Sequence, residues 1–489
     1  MTKKTYQLTR RDVLKGIAAG TCLSAVPWSV RAQEEDPTRF LIVLTATGGA
    51  SIIDAMLAIR ESESMNSSVI NVFPDQLVQT VDGTPFRAVD LNLPSIGPLP
   101  YTGASDQSNF VRRHAQDMMV VTHTGTSVNH LTAEKRSITG NDAWAGQTLQ
   151  EVVARAYGAQ APIPNVNMGV GGFVEPGVNS SVPGWARGQL VGDARLFFAG
   201  LDGSRGIRNA PNKPLVELAR RFRDEQLDER SVFARTFGDS QAIELWKANR
   251  SKTAELERAD LITKLNILRD SPGIPLDAFG LGTSPDVDRV LQAFPALDVD
   301  PFEAQAALAY LLIKNRVSVT VTLGPGLSPL VGVTQIVDSP PLAYDFSHTA
   351  HRATQAVMWH RLLDVTDRLI GLLKQEQFGG GQSLWDRSLV YFATDFGRTK
   401  RRPPNSPEFG TGHDLNNGSL IISPMANGGS VLGGVDPHTG LTYGFDPQTG
   451  APAPQRTMTE PEVFSGILQA LNVDTSPANL PSMPAMLRG

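Results

Sequence analysis

The stretch Phe40-Leu-Ile-Val-Leu44, running into Thr45-Ala-Thr-Gly-Gly49, decides the fold. Five consecutive apolar residues without alternation read as a strand buried on both faces, and the glycines read as a tight turn at its carboxyl end. The pattern recurs. Met118–Thr122 leads into His123-Thr-Gly, Val317–Thr322 into Leu323-Gly-Pro-Gly, Leu389–Ala393 into Thr394-Asp-Phe-Gly, and Ser419–Ser423 into a Pro/Gly segment. Between two of these, Met358, Leu362, Val365, Leu369 and Leu372 are spaced 4, 3, 4, 3, so they share one face of a long amphipathic helix. Strands alternating with helices predict an α/β fold with a mostly parallel central sheet flanked by helices on both faces. Ligands of such sheets bind beyond the carboxyl ends of the strands, where the polar residues of this chain collect.

The 489 residues, 41% hydrophobic and 19% charged, exclude disorder for most of the chain. Residues 1–32 stand apart. They carry six Lys/Arg against one Asp, leaving 38 basic and 48 acidic side chains and a net charge of −10 for the remainder. That acidity disfavours nucleic acid as a partner. The first segment places Arg10-Arg11 ahead of an apolar run of about 15 residues and ends in Val30-Arg31-Ala32, which resembles a twin-arginine export signal. Cleavage near Gln33 would deliver the chain to the periplasm or the medium. The run is too short, and too rich in Gly, Ser and Pro, for a spanning helix. No integral membrane segment is expected in the mature chain. Its only cysteine, Cys22, falls inside the signal, so cysteine metal sites and disulfides are not expected.

Residues 211–270 hold 12 Lys/Arg and 11 Asp/Glu, with Leu261, Ile262, Leu265 and Leu268 at helical spacing. The near-cancelling signs read as a solvated helical insertion, about 205–300, over the sheet. Segments 400–417 and 424–456, rich in Pro, Gly, Asn and Asp, are predicted as long loops, and no internal repeat is apparent. Among the eight histidines, His348 and His351 follow Asp345 closely, Asp395 ends a strand, and His413 sits in a glycine-flanked loop. Imidazole and carboxylate together suit a borderline divalent ion such as zinc or manganese. Singly, each of these residues is an ordinary turn former or surface group; the combination points to a metal site.

Taken with Phe40–Asp54, the segments Asn129-His-Leu-Thr-Ala-Glu-Lys-Arg-Ser-Ile-Thr-Gly140, Tyr344-Asp-Phe-Ser-His348 and Asp395-Phe-Gly-Arg-Thr399 followed by Gly412-His413 resemble the exported family designated domain of unknown function 1501. The resemblance covers roughly residues 38–473, leaving 474–489 as a tail. It implies the alkaline phosphatase and sulfatase superfamily, whose members hold two metal ions around a nucleophile. By that resemblance Asp345, His348, Asp395 and His413 are metal ligands. The position of the nucleophile corresponds to His130, with Thr132 the nearest hydroxyl. The pattern also departs from the superfamily: Thr47-Gly48-Gly49 lacks the expected Asp, with Asp54 a possible substitute ligand, and Phe396 replaces a second His. One ion is therefore expected in preference to two. His130 is open to roles as nucleophile, base or ligand, and its position at a helix start is expected to favour neutral imidazole; the plain alternative is a helix cap. Arg398 either holds a phosphate or sulfate oxygen or fastens a loop. The implied function is hydrolysis of phosphate or sulfate esters, the substrate being a small anionic ester or a sulfated or phosphorylated glycan. The contrasting reading is an exported binding or structural protein on the same scaffold, its catalytic site lost.

Overall fold

In the computed structural model, residues 36–93, 103–197, 213–227, 230–238, 240, 243, 260–271, 275–276, 281–325, 343–404, 406 and 409–489 are described. Residues 1–32, read above as an export signal, with Arg10, Arg11 and Cys22, lie outside them, as does much of the 205–300 insertion. Eight strands build the central sheet: β1 Phe40–Ala46, β2 Met118–Thr124, β3 Asn165–Asn167, β4 Gln189–Leu190, β5 Thr320–Leu323, β6 Ser388–Thr394, β7 Asn416–Ile422 and β8 Ser430–Leu432. Their order is β8-β2-β7-β6-β1-β5-β3-β4. Every neighbouring pair is parallel except those of β7, which runs antiparallel to both β6 and β2. All five strands predicted from apolar runs are present, and the fold is α/β with a mostly parallel sheet. The reversal of β7 matters for the site. It brings the residues that lead into β7 to the same end of the sheet as those leaving β1 and β6.

Both faces are covered, which is why the strands are apolar without alternation. Phe40, Ile42 and Leu44 of β1 enter one core cluster, and Leu41 and Val43 enter the other. The first cluster packs under α1 Gln107–His114, α4 Pro301–Lys314 and α5 His351–Gln375; the second packs under α2 His130–Thr139, α3 Leu149–Tyr157 and α6 Glu460–Ala470. In α5 the residues Met358, Leu362, Val365, Leu369 and Leu372 are all buried, as their spacing requires. Start signals are local. Asn129 accepts the Thr132 N–H at 3.2 Å, and the Thr148/Glu151 and Thr459/Glu462 pairs form capping boxes. Gly140 ends α2 at φ +59°, and a Cβ there would come within 2.6 Å of Phe464, so the missing side chain lets α2 sit against α6.

Within the insertion, Lys213–Phe222, Val232–Phe237, Leu261–Leu265 and Val287–Ala293 are helical, and Leu265 and Leu268 are buried in the first core cluster. The 424–456 region is not simply loop. It contains β8 and a small meander of Gly434–Val435, Thr442–Phe445 and Pro452–Ala453. Its two turns share one five-residue motif, Asp436-Pro-His-Thr-Gly440 and Asp446-Pro-Gln-Thr-Gly450, in each of which the last Gly N–H returns to the Asp carbonyl at 2.8 Å. The polar composition of these turns disguised two hairpins as loop. The 474–489 segment packs back on the body, with Met483 and Met486 fully buried. Among the described residues no helix is long and apolar enough to cross a membrane.

Candidate metal centre

The turn after β1 organises the site. Gly48 and Gly49 adopt φ +94° and +85°, and a Cβ on Gly48 would lie 2.5 Å from the backbone nitrogen of Asp345. Glycine therefore lets the 344–345 segment press against the end of β1. The Gly48 N–H donates to Asp395 Oδ2 at 3.1 Å, and the Gly48 carbonyl accepts from the Arg398 guanidinium. Arg398 and His413 face one another in a two-residue antiparallel ladder, Gly397–Arg398 with His413–Asp414, which brings the approach to β7 beside the exit of β6.

Four groups then converge. His130 Nε2 lies 3.4 Å from Asp345 Oδ1, His348 Nε2 lies 3.1 Å from it and His413 Nε2 3.6 Å, while the Nε2 atoms of His348 and His413 are 2.9 Å apart. His130, Asp345 and His413 form a cluster that can hold a metal ion. At a zinc–nitrogen distance of about 2.0–2.1 Å, adjacent donors of a tetrahedral site lie roughly 3.3–3.4 Å apart, so these separations suit one ion. The outward nitrogens are already engaged: His130 Nδ1 with Asp395 Oδ2 at 2.7 Å and His413 Nδ1 with the Val128 carbonyl at 2.9 Å. That is the outer arrangement that turns Nε2 lone pairs toward an ion. Phe396 stacks on His413 with ring centroids 4.1 Å apart.

The electrostatics follow from crowding. Burial pushes the His130 pKa down, but hydrogen bonds to Asp345 and Asp395 outweigh it and raise the value to about 9. The expectation of a neutral imidazole is thereby corrected: two carboxylates at contact distance override the field of a helix start. Burial raises the Asp345 carboxyl, yet hydrogen bonds from His130 and Arg398 hold it well below the usual range. Burial lowers His348, helped by the Arg398 charge, and burial likewise lowers His413.

The remaining sequence candidates have other partners. Asp395, expected as a ligand, is fully buried behind His130 and accepts from Gly48 and from Phe396 N–H at 3.1 Å, so in this structure it orients the His130 ring. Asp54, expected as a substitute ligand, belongs instead to a second buried pair, because the Ile52–Asp54 turn carries it into the core. Both its oxygens lie 3.0 Å from His351 Nε2, and Asn71 also bonds it. His351 Nδ1 meets Thr411 Oγ1 at 2.8 Å, so this pair anchors the loop before His413. Arg398 is 1% exposed and gives its N–H groups to the carbonyls of Gly48, Tyr344 and Thr411 and to Asp345. It fastens loops. The Thr132 hydroxyl lies 3.1 Å from Asn129 Oδ1 within the helix cap, and because Asn129 is the cap, His130 is freed from that role. One residue escaped the sequence reading: Glu134, fully buried one turn along α2 from His130, whose carboxyl is pushed up to about 7 by burial and by the Asp395 charge. Its four-residue spacing from His130 was the available signal. Compared with protein-family models and with curated proteins, the chain matches none.

Proposed function

We propose that the chain is an exported, metal-dependent hydrolase of phosphate or sulfate esters that works with one divalent ion. The convergence of three imidazole Nε2 atoms on Asp345 Oδ1, with the outward nitrogens of His130 and His413 already bonded, carries the reading. His130, Asp345 and His413 would hold zinc or manganese, with His348 beside them. When bound, such an ion supplies Lewis acidity toward an ester oxygen. The chain's own residues do the rest of the positioning. Asp395 fixes the ring of His130, Phe396 backs His413, and the buried Arg398 guanidinium holds Asp345 ionised at 3.0 Å while tying three loops together. This arrangement makes His130 a ligand in preference to a nucleophile.

One observation favours the contrasting reading, an exported binding or structural protein on the same scaffold with its catalytic site lost: the apolar ring of Phe396 occupies ground beside His413 and His130, 4.8 Å from the latter. Metal analysis of the purified mature chain, followed by a screen of phosphate and sulfate monoesters, separates the two. One equivalent of zinc or manganese with turnover that chelation abolishes is the expected result. A bound ion without turnover, or a chain that takes up no ion, overturns the hydrolase reading and supports the contrasting one.

A further inference from the structure

Six buried polar side chains on the α2/α3 side of the sheet each keep an oxygen without a hydrogen-bond partner among the described residues: Thr45 Oγ1, Glu134 Oε1, Gln150 Oε1, Asn165 Oδ1, Asn167 Oδ1 and Thr320 Oγ1. None is more than 5% exposed. Four of them, Thr45, Glu134, Gln150 and Asn167, are neighbours along one short segment, 168–174. A Cβ on Gly169 would touch the Thr45 side chain at 3.2 Å, and Gly172 N–H donates to Glu134 Oε2 at 2.7 Å. Gln150 Nε2 donates to the Phe173 carbonyl at 3.3 Å and to Thr322 Oγ1 at 3.1 Å, and Asn167 Nδ2 donates to the Val174 carbonyl at 3.4 Å. Asn165, next but one along β3, pairs in register with Thr320 of β5 and donates through Nδ2 to the Ala186 carbonyl at 3.2 Å.

Because each amide nitrogen is already committed to a carbonyl, each amide oxygen is fixed pointing the other way. The seam is thus lined by acceptors. Among these six side chains the donors left over are the hydroxyls of Thr45 and Thr320 and one N–H each of Asn165 and Asn167, fewer than the six oxygens presented. Buried oxygens of this kind are satisfied by small hydrogen-bond donors. We propose that this face of the sheet binds a chain of ordered water molecules, running from Glu134, one turn from His130, to Asn165 near the sheet edge. Glu134 is its ionisable end, and the carboxyl raised to about 7 by burial and Asp395 suits a group that exchanges a proton with such a chain. If the hydrolase reading above holds, the seam is an internal reserve of water behind a centre that consumes it.

High-resolution crystallography of the mature chain tests the binding claim directly. Water oxygens within hydrogen-bond distance of Glu134 Oε1, Gln150 Oε1 and Asn167 Oδ1 are expected. A sodium or potassium ion there, or those oxygens paired with protein donors and no water, overturns the proposal. In solution, oxygen-17 relaxation dispersion counts long-lived internal waters. The count should fall in a Glu134→Leu/Gln150→Leu variant and persist in the isosteric Glu134→Gln; an unchanged count in a folded double variant overturns the proposal as well. If the double variant does not fold, the single Gln150→Leu exchange supplies the same comparison. Neither measurement needs metal or ester turnover. Water found in a chain without hydrolytic activity leaves this inference standing and removes the hydrolase reading alone.

Discussion

His130 sits between two carboxylates, and its behaviour can be checked without a substrate. As Asn129 supplies the cap of α2, His130→Asn should leave the helix intact while metal affinity falls by more than about tenfold, and the ion-free chain should lose, below pH 9, the stability of the His130 pairing with Asp345 and Asp395. Calorimetric titration with zinc reads the affinity and thermal unfolding of the ion-free chain reads the stability; undiminished affinity would remove His130 from the ligand set. The pH dependence is equally definite. With a pKa of about 9 in the ion-free fold against an ordinary 6.5, His130 contributes stability that is complete below pH 6.5 and lost as pH rises through 9. Asp345, held below its ordinary 3.8, contributes stability present above that pH and lost as pH falls below it. An incoming ion must displace the His130 proton, so affinity should climb between pH 6.5 and 9 by about tenfold per unit, with proton release seen in buffers of differing ionisation enthalpy. A flat profile over that window would contradict the contact with two carboxylates.

At the scale of the element, the turn after β1 is the most constrained part of the site. Gly48→Ala meets a positive φ, which alone costs roughly 1–3 kcal/mol, and drives a methyl into the backbone of Asp345. Chemical denaturation should show that loss or more, together with weaker metal binding, since Asp345 is displaced; an unaltered midpoint would mean that the turn relaxes freely. Elements like β1, β2 and β6 were legible in the sequence because burial on both faces leaves a continuous apolar run. Strand β3, Asn165-Val-Asn167, was not: its asparagines face a polar seam, so the apolar signal shrinks to a single valine. The site divides the same way. Asp345, His348 and His413 were legible by residue type and order. The burial of Arg398 against the Gly48 carbonyl was not, nor was the withdrawal of Asp54 to His351, since both depend on partners roughly 300 or more residues away.

For the whole molecule, the leading segment makes an independent demand. Arg10 and Arg11 ahead of an apolar run predict export of an already folded chain. Replacing both by lysine should retain full-length precursor in the cytoplasm, visible by fractionation and immunoblotting, and efficient export of that variant would refute the assignment. The reversed strand β7 gives this a kinetic side. His130, Asp345 and His413 are far apart in the chain, and His413 reaches the others only because β7 turns back between β6 and β2. No single hairpin brings the three side chains together, so an ion held by them would be captured among the last events of folding. An interaction formed after the rate-limiting barrier leaves the folding rate unchanged and slows unfolding. The ion would then act as a latch closed before transit, lengthening the lifetime of the folded chain without hastening its formation.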